Sequence, residues 1–345
     1  MRQFLLCVSL SLFIGSLISC KQQANNTRQE NIPLIEKNTN AITIAFGSCS
    51  DEDKPQPLWE NILAHQPDMW IWLGDNIYGD TQDMGKMRRK YKMQKDNPDY
   101  QKLCKQTIVT GVWDDHDYGK NDAGKEFPAK AESQAAFLDF FDVAPDDPRR
   151  DREGTYHSFV HKTDIGSVKI ILLDTRYFRD KLIKSNGANS ANNNGTVLGE
   201  VQWNWFTQEL NNSTADYNII ATSIQAIPEE HKYEKWANFP NQRSHFFDLI
   251  TSSSAKNPII LSGDRHIGEI SKQTWNGKNL IECTSSSLTH GWRAPTPEAN
   301  EHRVGNIVYK ENYGVLVLEK EKFELQLFSE EGVEEEIRVL TVNNE

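Results

Sequence analysis

Residues 112–122 read VWDDHDYGKND, and they close an apolar run that begins at Thr107 (TIVTGVWDD, 107–115). Four carboxylates (Asp114, Asp115, Asp117, Asp122) stand close together there, with His116 and Asn121 among them. Like charges this close repel, and a solvated loop gains little from crowding them. Bound cations remove the conflict by neutralising the carboxylates that hold them. The run in front is rich in β-branched and apolar residues, the pattern of a strand buried on both faces. The stretch therefore reads as a strand that ends in cation ligands.

The rest of the chain repeats this arrangement. AITIAFGSC (41–49), MWIWLGD (69–75), VKIILLDTR (168–176), YNIIATS (217–223) and PIILSGD (258–264) read as further buried strands. Helical patterns lie between them at 56–66, 129–141, 200–212 and 241–251. After Gly291 the style changes, and residues 313–342 alternate and turn like antiparallel strands. The tract SNGANSANNNGT (185–196) is a loop by composition, and KMRRKYKMQK (86–95) is a solvated helix face. Strands alternating with helices make an α/β fold. In open α/β sheets the carboxyl ends of strands form the ligand crevice. Cys49, Asp75, Asp114, Asp115, Arg176 and Asp264 all stand at such ends.

Composition narrows the class. The chain has 345 residues, 37% hydrophobic and 25% charged, as ordinary globular proteins do. A formal net charge of -11 disfavours generic attraction to nucleic acid, and no nucleic-acid-binding module is evident. An anionic substrate then needs local cations or metal ions. The opening MRQFLLCVSLSLFIGSLISCKQQ carries one Arg and an apolar run too short for a confident membrane span. It reads as an export signal, and Leu17-Ile18-Ser19-Cys20 resembles a bacterial lipobox. That resemblance implies a lipoprotein signal peptide at 1–19 and lipidation of Cys20. An exported bacterial lipoprotein follows, membrane-anchored through Cys20 and facing the periplasm or cell surface. Residues 20–40 are then a flexible tether, and 41–345 a single domain. Three cysteines remain, Cys49, Cys104 and Cys283. Cys49 is read as a ligand, and the other two as packed or mutually bridged.

WLGDNIYGD (72–80) sets Tyr78 three residues after Asp75, and SGDRH (262–266) sets Asp264 and His266 on one side of an extended segment. Carboxylates bind and bridge hard cations, imidazole and thiolate take a softer one, and two ions together clamp the attacking and leaving oxygens of a phosphoester. In order, FGSCS, LGDNIYGD, WDDHDYGKND, LDTRYF, QWNWF, EKWANFP and SGDRH resemble the PhoD-type alkaline phosphatases, within the calcineurin-like metallophosphoesterases. The resemblance covers roughly residues 43–290.

It implies a four-layer α/β/β/α sandwich with two central mixed sheets. It also implies Fe3+ among Cys49, Asp75, Tyr78 and His266, with Asp75 bridging to Ca2+ held by Asp264 and Asn121. Asp114 and Asp115 stand between direct ligands and support for the ligands, and Zn2+, Mn2+ or Mg2+ stay open as occupants. The implied reaction is hydrolysis of phosphodiesters, phosphomonoesters or both at a two- or three-metal centre, with a metal-bound oxygen as nucleophile. Arg176 would bind phosphate, His116 would stabilise the transition state or protonate the leaving alkoxide, and Asn76 and His290 would touch substrate. Two alternatives stand beside it: a phospholipase-type hydrolase of lipid phosphodiesters, and a non-catalytic lipoprotein that captures phosphorylated ligands.

Overall fold

The structure, a computed structural model, describes residues 40–292, 298–329 and 334–341. The expected signal segment, Cys20 and nearly all of the tether lie outside them. Two six-stranded mixed sheets dominate. The first contains β1 (Ile42–Gly47), β2 (Met69–Leu73), β3 (Ile108–Val112), β12 (Asn312–Leu318), β13 (Lys322–Ser329) and β14 (Glu334–Thr341), in the order β14-β13-β12-β1-β2-β3. The second contains β4 (His157–Lys162), β5 (Ser167–Leu172), β8 (Tyr217–Ala221), β9 (Pro258–Ser262), β10 (Gly268–Trp275) and β11 (Lys278–Ser285), in the order β10-β11-β9-β8-β5-β4. In the first sheet β1, β2 and β3 run parallel; in the second β5, β8, β9 and β11 do.

The strand periodicity of two explains the layering. In β2, Met69, Ile71 and Leu73 point into an apolar layer shared with Ile170, Ile219 and Ile259 of the second sheet. Trp70 and Trp72 point the other way, onto α1 (Leu58–Ala64), α2 (Met84–Asp96), α3 (Pro98–Gln106) and, beyond the short α4 (Asp115–Tyr118), α5 (Lys130–Phe140). On the far side, Ile171, Ile220 and Ile260 meet α6 (Gly199–Asn211) and α7 (Pro240–Ser252). Both faces of each sheet are covered, so their parallel strands are continuously apolar. This is the expected α/β/β/α sandwich.

Two expectations are corrected. The tract taken as a loop at 185–196 begins inside a hairpin, β6 (Ile183–Ser185) with β7 (Ala188–Ser190). Its Asn186-Gly187 turn has positive φ at both positions, the requirement of a type I′ connection. Cys104 is exposed and Cys283 buried, and both are free, so they form no mutual disulfide. The hairpin of β10 and β11, the edge strand β4 and helix α3 were not anticipated.

Trp59 of α1 lies edge-on to Trp70 and Trp72, with centroids 5.1 and 5.5 Å away, and the Trp72 indole N–H donates to Tyr100 at 3.0 Å. Replacing Trp72 by Ala empties the centre of this cluster. It should lower unfolding stability by about 3–5 kcal/mol, read from the denaturation midpoint.

Candidate metal centre

The carboxyl ends of the parallel strands of both sheets converge on one edge. Past β1 comes Cys49, past β2 Asp75, past β3 Asp114 and Asp115, and past β9 Asp264 and His266. Cys49, Asp75, Asp264 and His266 all have left-handed backbones (φ 59°, 47°, 71° and 54°), a conformation non-glycine residues adopt at a cost. Such strain persists where surrounding structure enforces it. The glycines before the two aspartates show how tightly the ends meet. A Cβ on Gly74 (φ 102°) would lie 2.5 Å from Cβ of Asp114, and one on Gly263 would lie 2.6 Å from the Leu73 carbonyl oxygen.

Of the four sets of donor atoms that gather within 4.8 Å among the described residues, three lie at this edge: Asp75, Asp115 and His116; Asp114, Asp115 and Asp264; and Asp115, Asp122 and Glu234; the fourth is Asp51, Glu52 and Asp53. Asp115 belongs to the first three. Around Asp75, Oδ2 lies 3.5 Å from the Cys49 thiol and 3.4 Å from the Tyr78 hydroxyl, while Oδ1 accepts the His116 backbone N–H at 3.3 Å. Cys49 and His266 belong to none of these close sets. His266 can donate from Nδ1 to the His290 carbonyl, 3.2 Å away, which would leave Nε2 as a lone-pair donor. Asn121 lines the adjoining cavity.

Oxygens Oδ2 of Asp114, Oδ1 of Asp115 and Oδ1 of Asn76 are buried without a hydrogen-bond partner. Unsatisfied buried carboxylate oxygens are costly, and a cation is the partner that satisfies them. Charge points the same way. Burial pushes Asp75 well above the carboxylate range, with His116 opposing and Asp115 and Asp114 adding to the rise. Asp264 is raised by burial and by Asp114 and Asp115. Burial also pushes up the Cys49 thiol and the Tyr78 phenol, and the Asp75 charge raises both further. Asp115 is held low: burial acts against its charge, but Arg176 and His116 outweigh it. A set that resists ionisation together is one that cations can discharge by displacing protons. Hard carboxylates beside a thiol, a phenol and an imidazole fit ions of both hard and intermediate character.

Several expected substrate contacts sit elsewhere. Arg176 is fully buried and does not line the cavity. Its Nε donates to Asp114 at 2.5 Å, and Nη1 pairs with Glu234 at 2.6 Å. Both anions face its guanidinium, so Arg176 holds Asp114 in place in this structure. Asn76 is likewise buried behind the site, with Nδ2 donating to Asp117 at 2.6 Å and to the Val112 carbonyl at 3.1 Å. His290 does not line the cavity either. Its ring packs 5.1 Å from that of Tyr78, and its carbonyl faces His266. His116 does line it, with Nδ1 2.8 Å from Asp80. The charges of Asp75 and Asp115, with the hydrogen bond to Asp80, raise the His116 imidazole to about 11 against the opposing effect of burial.

The cavity in front of these ligands measures about 540 Å³. Its lining includes Asp122 of the crowded carboxylates and residues that were not singled out: Lys184, Lys232, Tyr233, Glu234, Arg265 and Trp292. Glu234 and Arg265 stood inside quoted blocks, EKWANFP and SGDRH. Nothing local distinguishes their charge from that of a surface residue. Glu234 also pairs with Arg179 at 2.9 Å.

The sequence model of the PhoD-like phosphatases matches residues 44–330. Alkaline phosphatase D of Bacillus subtilis (strain 168) is 24% identical over 284 residues, 69% of this chain and 48% of that protein. The chain thus spans about half the length of this curated relative. A solved structure of PhoD superposes with a TM-score of 0.71 at 18% identity, covering 90% of this chain and 69% of that one. A dimetal phosphatase from Danio rerio superposes with a TM-score of 0.55 at 12% identity, covering 88% and 99%. Matched over most of its length, the chain belongs to the PhoD-like phosphatase family.

Proposed function

We propose that this chain is a metal-dependent phosphoester hydrolase acting on phosphodiesters, phosphomonoesters or both. The observation that carries the reading is the convergence of Asp75, Asp114, Asp115 and Asp264, with unpartnered buried oxygens on Asp114 and Asp115, beside a cavity that also contains Lys184, Lys232 and Arg265. Two or three cations held there by Asp75, Asp115, Asp114 and Asp264, with Cys49, Tyr78 and His266 beside them, would supply an acidified water and neutralise phosphate charge. Fe3+ and Ca2+ are the proposed occupants, on the mixed thiol, phenol and carboxylate donors. The residues contribute position and protons. His116 lines the cavity with its Nδ1 2.8 Å from Asp80, a carboxylate outside the donor sets that favours the protonated ring, so it is placed to give a proton to a leaving alkoxide. Arg176, Ser223 and Glu234 fix Asp114, with Ser223 donating to its Oδ1 at 2.7 Å. Export and lipid anchoring through Cys20 belong to the same reading and rest on the sequence alone.

The test is hydrolysis of bis(p-nitrophenyl) phosphate and p-nitrophenyl phosphate by the full chain, with added calcium and iron. Chelation should abolish turnover, and Asp75→Ala should lower kcat/KM by roughly 100-fold or more. Absence of turnover from folded, metal-loaded protein overturns the reading in favour of ligand capture. Asp115→Asn, at the residue common to the three donor sets of the site, should reduce bound metal as measured by elemental analysis. Arg176→Met should act chiefly on stability. It strands two buried carboxylates and is expected to cost about 3–5 kcal/mol by denaturation, a loss that phosphate recognition alone would not produce.

A further inference from the structure

With Arg176 withdrawn from the cavity, the question is which cations of the chain meet the substrate. Among the described residues that line the cavity, five carry or can carry positive charge: His116, Lys184, Lys232, Arg265 and His266, the last of them a candidate ligand. Three are engaged by carboxylates. His116 faces Asp80 at 2.8 Å, Lys184 faces Asp122 at 2.8 Å, and the Arg265 Nη2 faces Glu298 at 2.7 Å. The exposed Lys232 ammonium has no carboxylate partner among the described residues, and its neighbour is the Tyr233 ring at 5.3 Å.

Arg265 is built into the wall more firmly. Its guanidinium carbon lies 4.2 Å over the Tyr233 ring and 5.7 Å from that of Trp292. Those two rings meet edge to face at 5.1 Å. Trp292 is itself anchored, its backbone N–H donating to the His266 carbonyl at 2.8 Å. Arg265 is 3% exposed, and its Nε has no partner. A guanidinium stacked in this way is held flat with its donors pre-oriented, at low entropic cost on binding. Lys232 is positioned by its backbone, whose carbonyl accepts the Asn189 N–H of β7 at 3.0 Å.

We propose that Lys232 and Arg265 bind the phosphoryl oxygens of the substrate from the lining of this cavity, in the role expected of Arg176. The assignment rests on the phosphoester reading above. In it, phosphate enters the cavity that the strand-end carboxylates share with Lys232 and Tyr233, with Gly187 and Asn189 of the β6–β7 hairpin, and with Arg265. The -11 net charge of the chain makes such local cations necessary for drawing in an anion.

The probe is inorganic phosphate, titrated calorimetrically into the full chain loaded with calcium and iron, with metal content measured on every sample. Lys232→Met and Arg265→Met should each weaken phosphate binding by about tenfold, as expected when one charge-assisted hydrogen bond is lost. Lys232→Arg should retain most of the affinity. Lys181→Met, at an exposed lysine outside this cavity, should leave it unchanged. Unaltered affinity in both Met variants at wild-type metal content overturns the proposal, and so does equal weakening in Lys181→Met, which would mark a general field effect. If Arg265→Met loses metal because it adjoins Asp264 and His266, Lys232→Met decides alone. Phosphate binding is read without turnover, which separates the two ideas. Binding that depends on Lys232 in a chain that cleaves no ester keeps this assignment and sinks the hydrolase. Ester turnover with unaltered phosphate affinity in the variants does the reverse, and a wild-type chain that binds no phosphate sinks both.

Discussion

The carboxylates of Asp75, Asp114, Asp115 and Asp264 repel one another inside a site that water does not reach freely, and most of the surrounding structure exists to keep them there. Asp114 and Asp115 come from the first sheet and Asp264 from the second, so their approach requires the two sheets to pack in one register. The shared apolar layer of Ile71, Leu73, Ile170 and Ile219 supplies that packing. At the strand ends the Asp114–Arg176–Glu234 chain takes over, a buried ion network spanning both sheets. Buried pairs of this kind add little net stability but make any rearrangement expensive, which is the property a fixed ligand geometry needs.

The same constraint explains the backbone. Gly74 and Gly263 precede the aspartates because no side chain fits between the converging strands. The left-handed turns at Cys49, Asp75, Asp264 and His266 aim side chains inward where a regular strand would carry the chain past the site. The strain is local, and the buried layers on either side hold it.

Opposite the ligands, the cavity wall comes from less regular pieces: the β6–β7 hairpin, the segment carrying Lys232 to Glu234, and Trp292. The hairpin is tied to that segment by the Asn189 N–H to the Lys232 carbonyl and by the Asn192 N–H to the Asn238 carbonyl at 2.7 Å. One wall is thus set by the sheets and the other by loops fastened to each other. In such a division the chemistry is held by the rigid part, and recognition of the substrate falls to the part that can vary.

The buried strands could be read from sequence because each is a short apolar run with no competing pattern. The candidate ligand residues that the structure gathers could be picked out because crowded acids, Asp-x-His spacing and Gly-Asp pairs are local signals. Strand β4 could not, since HSFVHK is an edge strand with half-exposed, polar positions that carry no clear period. The β6–β7 hairpin was hidden by a tract of small polar residues, although its Asn186-Gly187 pair was the signal available. Arg176 shows the boundary most clearly. Its place after a strand marked it as functional, and that much is a local fact. Its partners Asp114 and Glu234 lie 62 and 58 positions away in the chain, and only they decide that it faces carboxylates and not the cavity. Lys232 and Arg265 are the converse, ordinary charges in sequence that packing turns toward the ligands. Sequence alone determined the buried strands and the candidate donor residues, because hydrophobic period and ligand chemistry are written within a few residues, while the layers were implied by the family resemblance. Only the tertiary structure decided which cations face the substrate space, because the direction of a charged side chain depends on neighbours that the chain brings from far away.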